Sequence, residues 1–343
     1  MKKIIAGLLI LSPILLTACG GEEKKTVSVQ ETAKDAAIEK GRAEIDKLNE
    51  EYPRVPDEKF LDEEVVNSPV YEELKQRYKE NLATLKQEVE ATGAKLVVVI
   101  MTPETGKNMP NQVKKGVPFI TGTCKELGLE LHDMSPLIAS QDPKVITQVP
   151  KDGHWSKKGA EMIANYLAPI IKKYSTHKAT ATFKDTERPE TFGDLTPNDD
   201  QVLDGGKDLP YHLKANAQGL RMDADVKFPK TKQHILFLGG SQIYSPFLDN
   251  EFIATALLQK QFPETVIMNS GMMAASIDDY LSLFREKAKY SEPDLVILQT
   301  NGGDVTDFFF SNRNHVARSP KPHHPSDLEA KFYQEKIANG VTE

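Results

Sequence analysis

The chain has 343 residues, a hydrophobic fraction of 39% and a formal charge of −7 at neutral pH. That length supports one large domain or two small ones, with enough apolar residues to fill a substantial core. The mild acidic excess provides no basic footprint for nucleic acid.

The first residues carry an address. Lys2 and Lys3 precede an apolar run from Ile4 to Leu16, and Leu16-Thr17-Ala18-Cys19 places small residues just before a cysteine. This is the pattern of a bacterial lipoprotein signal, too short for a comfortable transmembrane helix. Cleavage after residue 18 makes Cys19 the lipidated first residue of the mature chain, held to a membrane surface by its acyl chains. Gly20 follows the cysteine, which in a two-membrane envelope favours the outer membrane; either way the expected location is extracytoplasmic. Cys124 is then the remaining cysteine, so no intrachain disulfide is expected in the mature protein, and its apolar neighbours Leu127 and Leu129 suggest a small core residue. Residues 19–50, rich in Glu, Lys and Ala, read as a tether.

Beyond the tether, 51–310 reads as one α/β domain. Tyr71, Leu74, Tyr78, Leu82, Leu85 and Val89 recur at helical steps, with Gly93 placed to end the helix. Leu96-Val97-Val98-Val99-Ile100 has the continuous apolar character of a strand buried on both faces. A helix is expected over 118–127 with Gly128 as its stop, then a short strand from Leu129 to Asp133. Ser156 is a candidate N-cap for a strong helix with Ala160, Ile163, Ala164, Leu167, Ile170, Ile171 and Tyr174 on its buried stripe. Residues 176–232 lose periodicity and read as an irregular insertion.

The rhythm resumes with a strand at Ile235–Leu238 and a helix carrying Phe252, Ile253, Ala256 and Leu257. A strand at Thr265–Met268 follows, then a helix opened by Ser276-Ile277-Asp278-Asp279 in capping-box fashion, and a last strand at Asp294–Gln299. The 311–343 tail is polar. This alternation predicts a three-layer sandwich around a mostly parallel sheet, shared by the segments on both sides of the insertion. Sites in such folds lie at the carboxyl ends of strands. Gly239-Gly240-Ser241, Asn269-Ser270-Gly271 and Thr300-Asn301-Gly302 all fall there.

Those ends, together with the Asp152–Trp155 segment, supply a candidate acyl-transfer set. Ser241 follows two glycines and begins a helix, where backbone N–H groups can face an anion. As an isolated motif, Gly-Gly-Ser reads equally as a plain turn. His154 is the candidate base, and Asp152, two residues earlier across Gly153, can turn its carboxylate to the imidazole if the segment is a loop. Asn301 can donate its side-chain amide to an oxyanion or serve as a turn residue; Gly271 can add a backbone N–H or simply end a strand.

Taken together, Asp152-Gly153-His154-Trp155, Ser241, Gly271 and Asn301 resemble the SGNH hydrolase superfamily. The acid–base block before the serine, continuing through Ser156-Lys157-Lys158-Gly159-Ala160, resembles its alginate O-acetyltransferase (AlgX/AlgJ-type) group. The resemblance covers roughly residues 90–175 and 230–304. It implies an SGNH-hydrolase-like fold, with Ser241 as nucleophile, His154 as base and Asp152 as its orienter. The oxyanion would be held by the Ser241 and Gly271 N–H groups and Asn301. It also implies an extracytoplasmic polysaccharide acceptor, with acetyl groups delivered with the help of a membrane-bound O-acyltransferase. No cofactor or metal is called for. Two positions depart from the usual blocks: Gly240 stands where the superfamily has aspartate, and Gln299 where it has glycine. Aromatic residues near the serine, Tyr244 and Trp155 foremost and then Tyr211 and Phe247, are candidates to meet a sugar ring, with core packing the competing role. His323-His324 lacks a third metal ligand of suitable spacing, and Asn198–Gly205 lacks the ligand pattern of a calcium loop. The expected activity is envelope polysaccharide O-acetylation; a carbohydrate or acetyl esterase and a non-catalytic glycan-binding scaffold are the alternatives.

Overall fold

The computed structural model describes residues 65–103, 110–204, 208–273 and 275–306. The expected signal peptide, Cys19, the expected tether and the 311–343 segment with His323 and His324 lie outside them.

The first long helix among the described residues is α1 (Pro69–Ala91), whose buried stripe is Val70, Tyr71, Leu74, Tyr78, Leu82, Leu85 and Val89, and which Gly93 follows in a left-handed conformation. Then come β1 (Lys95–Ile100), α2 (Asn111–Glu126) and β2 (Glu130–Asp133). Helix α2 begins well before the expected position 118. Pro118 sits inside it, and both Pro118 and Lys114, whose carbonyl loses its partner, face outward, where water can replace the missing bond. Two short helices, α3 (Ser135–Ala139) and α4 (Pro143–Ile146), lead to α5 (Lys157–Lys173).

The insertion is not wholly irregular: β3 (Asp200–Asp204) and β4 (Pro210–Lys214) form an antiparallel hairpin. The rest is organised by side chains. Asn216 Oδ1 accepts from the N–H groups of Gln218 and Leu220, while the Asp294 and Glu292 carboxylates accept from Ala179 and Phe183 N–H. Bonds of this kind leave no periodic trace.

The second half continues with β5 (Gln233–Gly239), α6 (Ser241–Tyr244), α7 (Ala254–Gln261), β6 (Thr265–Gly271), α8 (Ile277–Glu286) and β7 (Leu295–Thr300). The five strands outside the hairpin make one parallel sheet of order β2-β1-β7-β5-β6. Leu96, Val98, Leu236, Leu238, Val296 and Leu298 pack one face against α1, α2 and α8. Val97, Val99, Ile235, Phe237, Leu295 and Ile297 pack the other against α5 and α7. Burial on both faces is why these strands read as unbroken apolar runs. The result is the expected three-layer α/β sandwich, with Cys124 wholly buried in it. Burial pushes its thiol up to about 12, which keeps it a thiol at neutral pH.

Candidate active site

The connection from β2 to α5 must return to the carboxyl end of the sheet, because α5 runs back to start the next parallel strand. At that end, residues 147–155 close into a tight loop. Thr147 bridges Trp155, Gln148 N donates to His154 O at 2.8 Å, and Gln148 Nε2 donates to Trp155 O at 3.2 Å. Four residues of the Asp-Gly-His-Trp-Ser block, Asp152, His154, Trp155 and Ser156, have a local task. Asp152 Oδ1 lies 2.5 Å from His154 Nδ1 and also accepts from His154 N at 2.8 Å. The Asp152 side chain is 6% exposed, so this contact is shielded from water. Trp155 is wholly buried and anchors the loop in the core; truncating such a side chain costs about 3–5 kcal/mol. Ser156 Oγ accepts from Gly159 N at 3.2 Å, capping α5. A Cβ on Gly159 would come within 2.1 Å of Ile146 O, so only glycine lets the helix start pack this close.

Ser241 stands at the end of β5, beside β6 and β7. The register sets Gly239 opposite Gly271 and Leu238 opposite Leu298. Gly240 is the N-cap of α6, a single turn that begins at Ser241 and ends at Ser245 in left-handed conformation. A Cβ on Gly271 would lie 2.4 Å from Tyr244 N and 2.5 Å from Ile243 Cγ2, so β6 can hold this turn only with glycine there. Among the described residues, neither Ser241 Oγ nor His154 Nε2 has a hydrogen-bond partner, so no hydrogen bond joins them here. Nucleophile–base contacts are often long without substrate and tighten when it binds.

What links the two loops is an aromatic contact. Phe247, six positions after Ser241, meets His154 edge-on at 6.0 Å between ring centroids and Tyr211 of the hairpin at 5.8 Å. Lys151, in the His154 loop, donates to Asp208 O at the hairpin turn at 2.9 Å. The insertion therefore borders the site.

Sequence reasoning missed Arg221, and no spacing marks it in an aperiodic stretch. It is 1% exposed. Its guanidinium donates to Tyr244 O, to Ser245 O at 2.8 Å, to Leu248 O at 2.5 Å and to Asn250 Oδ1 at 3.1 Å. It also lies 4.9 Å from the Tyr244 ring and 5.4 Å from that of Tyr211. The segment it holds contains the left-handed residues Ser245 and Phe247.

These contacts correct the sugar-stacking expectation for two aromatics. Trp155 has no exposed surface, and Tyr244, 5% exposed, spends its ring on Arg221 and on a small cluster with Tyr211 and Leu213. Phe247 is the partly exposed aromatic beside His154.

The two departures from the usual blocks have structural reasons. A Cβ at Gly240 would lie 2.9 Å from the Tyr280 hydroxyl, which occupies the space a side chain would need. Gln299, wholly buried, accepts from Gly240 N at 3.0 Å and so holds the turn before Ser241 from β7. Asn301 follows β7 immediately; its Oδ1 accepts from Gly303 N at 2.6 Å and its Nδ2 donates to Asp304 at 2.5 Å.

No family model and no curated protein matches this sequence. Among solved structures, the chain is similar to the O-acetyltransferase domain of Pseudomonas putida AlgJ, at 14% identity and a TM-score of 0.42 over 80% of this chain and 92% of that one. It is also similar to Bacillus cereus PatB1 with a sulfonyl adduct, at 9% identity and a TM-score of 0.39 over 68% of this chain and 89% of that one.

Proposed function

We propose that the protein is an O-acetyltransferase of envelope polysaccharide that works through an acyl-serine. The observation that carries this reading is the shielded Asp152–His154 hydrogen bond, next to the loop that begins at Ser241 and reaches back to His154 through Phe247. Asp152 occupies Nδ1, which leaves Nε2 as the atom that moves protons.

In the first half-reaction Ser241 Oγ attacks the acetyl carbonyl carbon and its proton passes to His154 Nε2. Asp152 stabilises the imidazolium, and the oxyanion is met by the Ser241 N–H and by Asn301; the Gly271 N–H, expected to join them, is instead donated to Asn269 Oδ1 at 2.9 Å. Collapse expels the donor alcohol, which leaves with the proton from Nε2. In the second half a sugar hydroxyl gives its proton to His154 Nε2 and attacks the acyl-serine carbonyl; collapse expels Ser241 Oγ, which takes that proton back from Nε2. The donor is an acetyl group passed on by a membrane-bound O-acyltransferase, and the protein is held at the membrane through lipidated Cys19. Cys19→Ser should move it from the membrane fraction to the soluble one.

The test supplies the purified protein with para-nitrophenyl acetate, with and without oligosaccharide acceptors. Acetylated sugar is expected from the wild type and not from Ser241→Ala. Acetate release that no acceptor alters would replace the transferase reading with an esterase. Unchanged turnover in Ser241→Ala would remove both.

A further inference from the structure

Asn301 is the outer end of a hydrogen-bonded chain that runs into the core. Its amide is held twice, by Gly303 N on its oxygen and by Asp304 Oδ1 on its nitrogen. Asp304 Oδ2 accepts from Thr300 Oγ1 at 2.8 Å, and that hydroxyl lies 2.9 Å from the hydroxyl of Tyr78 on α1. Asp304 is 1% exposed, while Thr300 and Tyr78 are wholly buried. The Gly303 contact alone would make the turn. The carboxyl is an addition, and burying one is unfavourable unless its oxygens are satisfied. It has a geometric effect: an amide gripped at both ends cannot rotate, so the second N–H of Asn301 keeps one direction.

We propose that Asp304 is a positioning residue that locks the Asn301 amide as an oxyanion donor, with Thr300 and Tyr78 supporting it from the core. This rests on the acyl-transfer reading above. Asp304 touches no reacting atom; it acts through Asn301.

The electrostatics of the chain supply a signature that mere packing lacks. Burial raises the Asp304 carboxyl to about 7, against the lowering by its bonds to Thr300 and Asn301. The titratable group facing it from α1 is Tyr78, beside which lies Cys124 of α2. Burial pushes the tyrosine well above its usual range and the thiol to about 12, so both are neutral when Asp304 titrates. As the neutral acid, Asp304 accepts the Asn301 N–H and donates its own proton to Thr300. As the carboxylate, it places a negative charge one amide away from the developing oxyanion and opposes it. Turnover therefore declines as pH rises through about 7.

The experiment follows hydrolysis of para-nitrophenyl acetate from about pH 5.5 to about pH 9, with far-UV circular dichroism to verify folding. Asp304→Leu frees the amide and lowers kcat about tenfold with KM little changed, less than the roughly 10²–10³ expected when an oxyanion donor is removed outright. Asp304→Asn keeps an acceptor for Asn301 and a donor for Thr300 but cannot ionise. It recovers most of kcat and loses the alkaline decline. An Asp304→Asn enzyme that keeps the same decline overturns the proposal, as does a folded Asp304→Leu enzyme with wild-type kcat. If the leucine variant does not fold, the asparagine profile decides alone. Turnover that survives Ser241→Ala strikes the acyl-serine reading itself, an outcome separate from either Asp304 result.

Discussion

Replacing Arg221 with methionine tests whether the insertion holds the Ser241 loop. The substitution keeps an unbranched side chain of similar length and removes every donor. Three buried carbonyls, those of Tyr244, Ser245 and Leu248, then lose their guanidinium partner. An orphaned buried acceptor costs about 1–3 kcal/mol, and loss of the contacts to the Tyr244 and Tyr211 rings adds about 1–2 kcal/mol. Relief from burying a guanidinium offsets part of this, as does water reaching the vacated donor sites. A net loss of about 3 kcal/mol follows, or roughly 6–12 °C in Tm for a domain of this size. The effect on catalysis should exceed what stability alone explains. Ser245 and Phe247 hold left-handed backbone that the surrounding bonds must enforce, and Phe247 carries the contact to His154. We expect kcat on an acetyl ester to fall at least about tenfold at temperatures where the variant is folded. Arg221→Lys should recover little, because one ammonium cannot serve carbonyls spread around a planar fork. Calorimetry and steady-state kinetics on both variants provide the readout. A methionine variant with Tm within about 1 °C of wild type and unchanged kcat would refute the reasoning.

Two further outcomes follow from the packing and charge described above. Gly271→Ala drives a methyl into Tyr244 N and Ile243, so it should destabilise by about 1–3 kcal/mol and impair acetyl-ester turnover by displacing the Ser241 turn; denaturant melts and kcat together check this, and wild-type values for both would contradict it. At Glu130, burial pushes the carboxyl up, but hydrogen bonds from Lys173, Tyr174 and His132 outweigh it and bring the group down to about 2. A depressed folded-state value means the stabilisation is full above the ordinary carboxylate range and is lost as pH falls through about 2. The urea-midpoint gap between wild type and Glu130→Gln should therefore be present at neutral pH and close in acid; solvent reaching the exposed Lys173 end of the network keeps this gap small.

The parts of the fold legible in the sequence were those that burial writes as a pattern. Leu96–Ile100 and Ile235–Leu238 announce strands because both faces are covered, and Ser156 announces α5 because an N-cap is a local matter. Pro118 misled, since a proline inside an exposed helical turn leaves the same letters as one at its start. The insertion was opaque because Asn216, Asp294, Glu292 and Arg221 organise it through side-chain bonds to distant backbone, which have no spacing to detect. At the site, motif order pointed to Asp152, His154 and Ser241. It left Trp155 and Tyr244 open between sugar contact and core packing, and gave no hint that Gln299 and Tyr280 fill the space around Gly240. Such compensations appear only when strands are laid side by side.

The strand order carries a consequence for synthesis. Among the described strands, β7 is the last to leave the ribosome, yet it lies between β1 and β5 and pairs with both. Until residue 300 is available, β2-β1 and β5-β6 are separate ribbons, each with an unpaired inner edge. The Gln299 brace on Gly240 and the Asn301 turn arrive with the same strand. The candidate site thus stays incomplete through most of the chain's translation, and the step that seals the sheet is also the step that brings the Ser241 turn and Asn301 together.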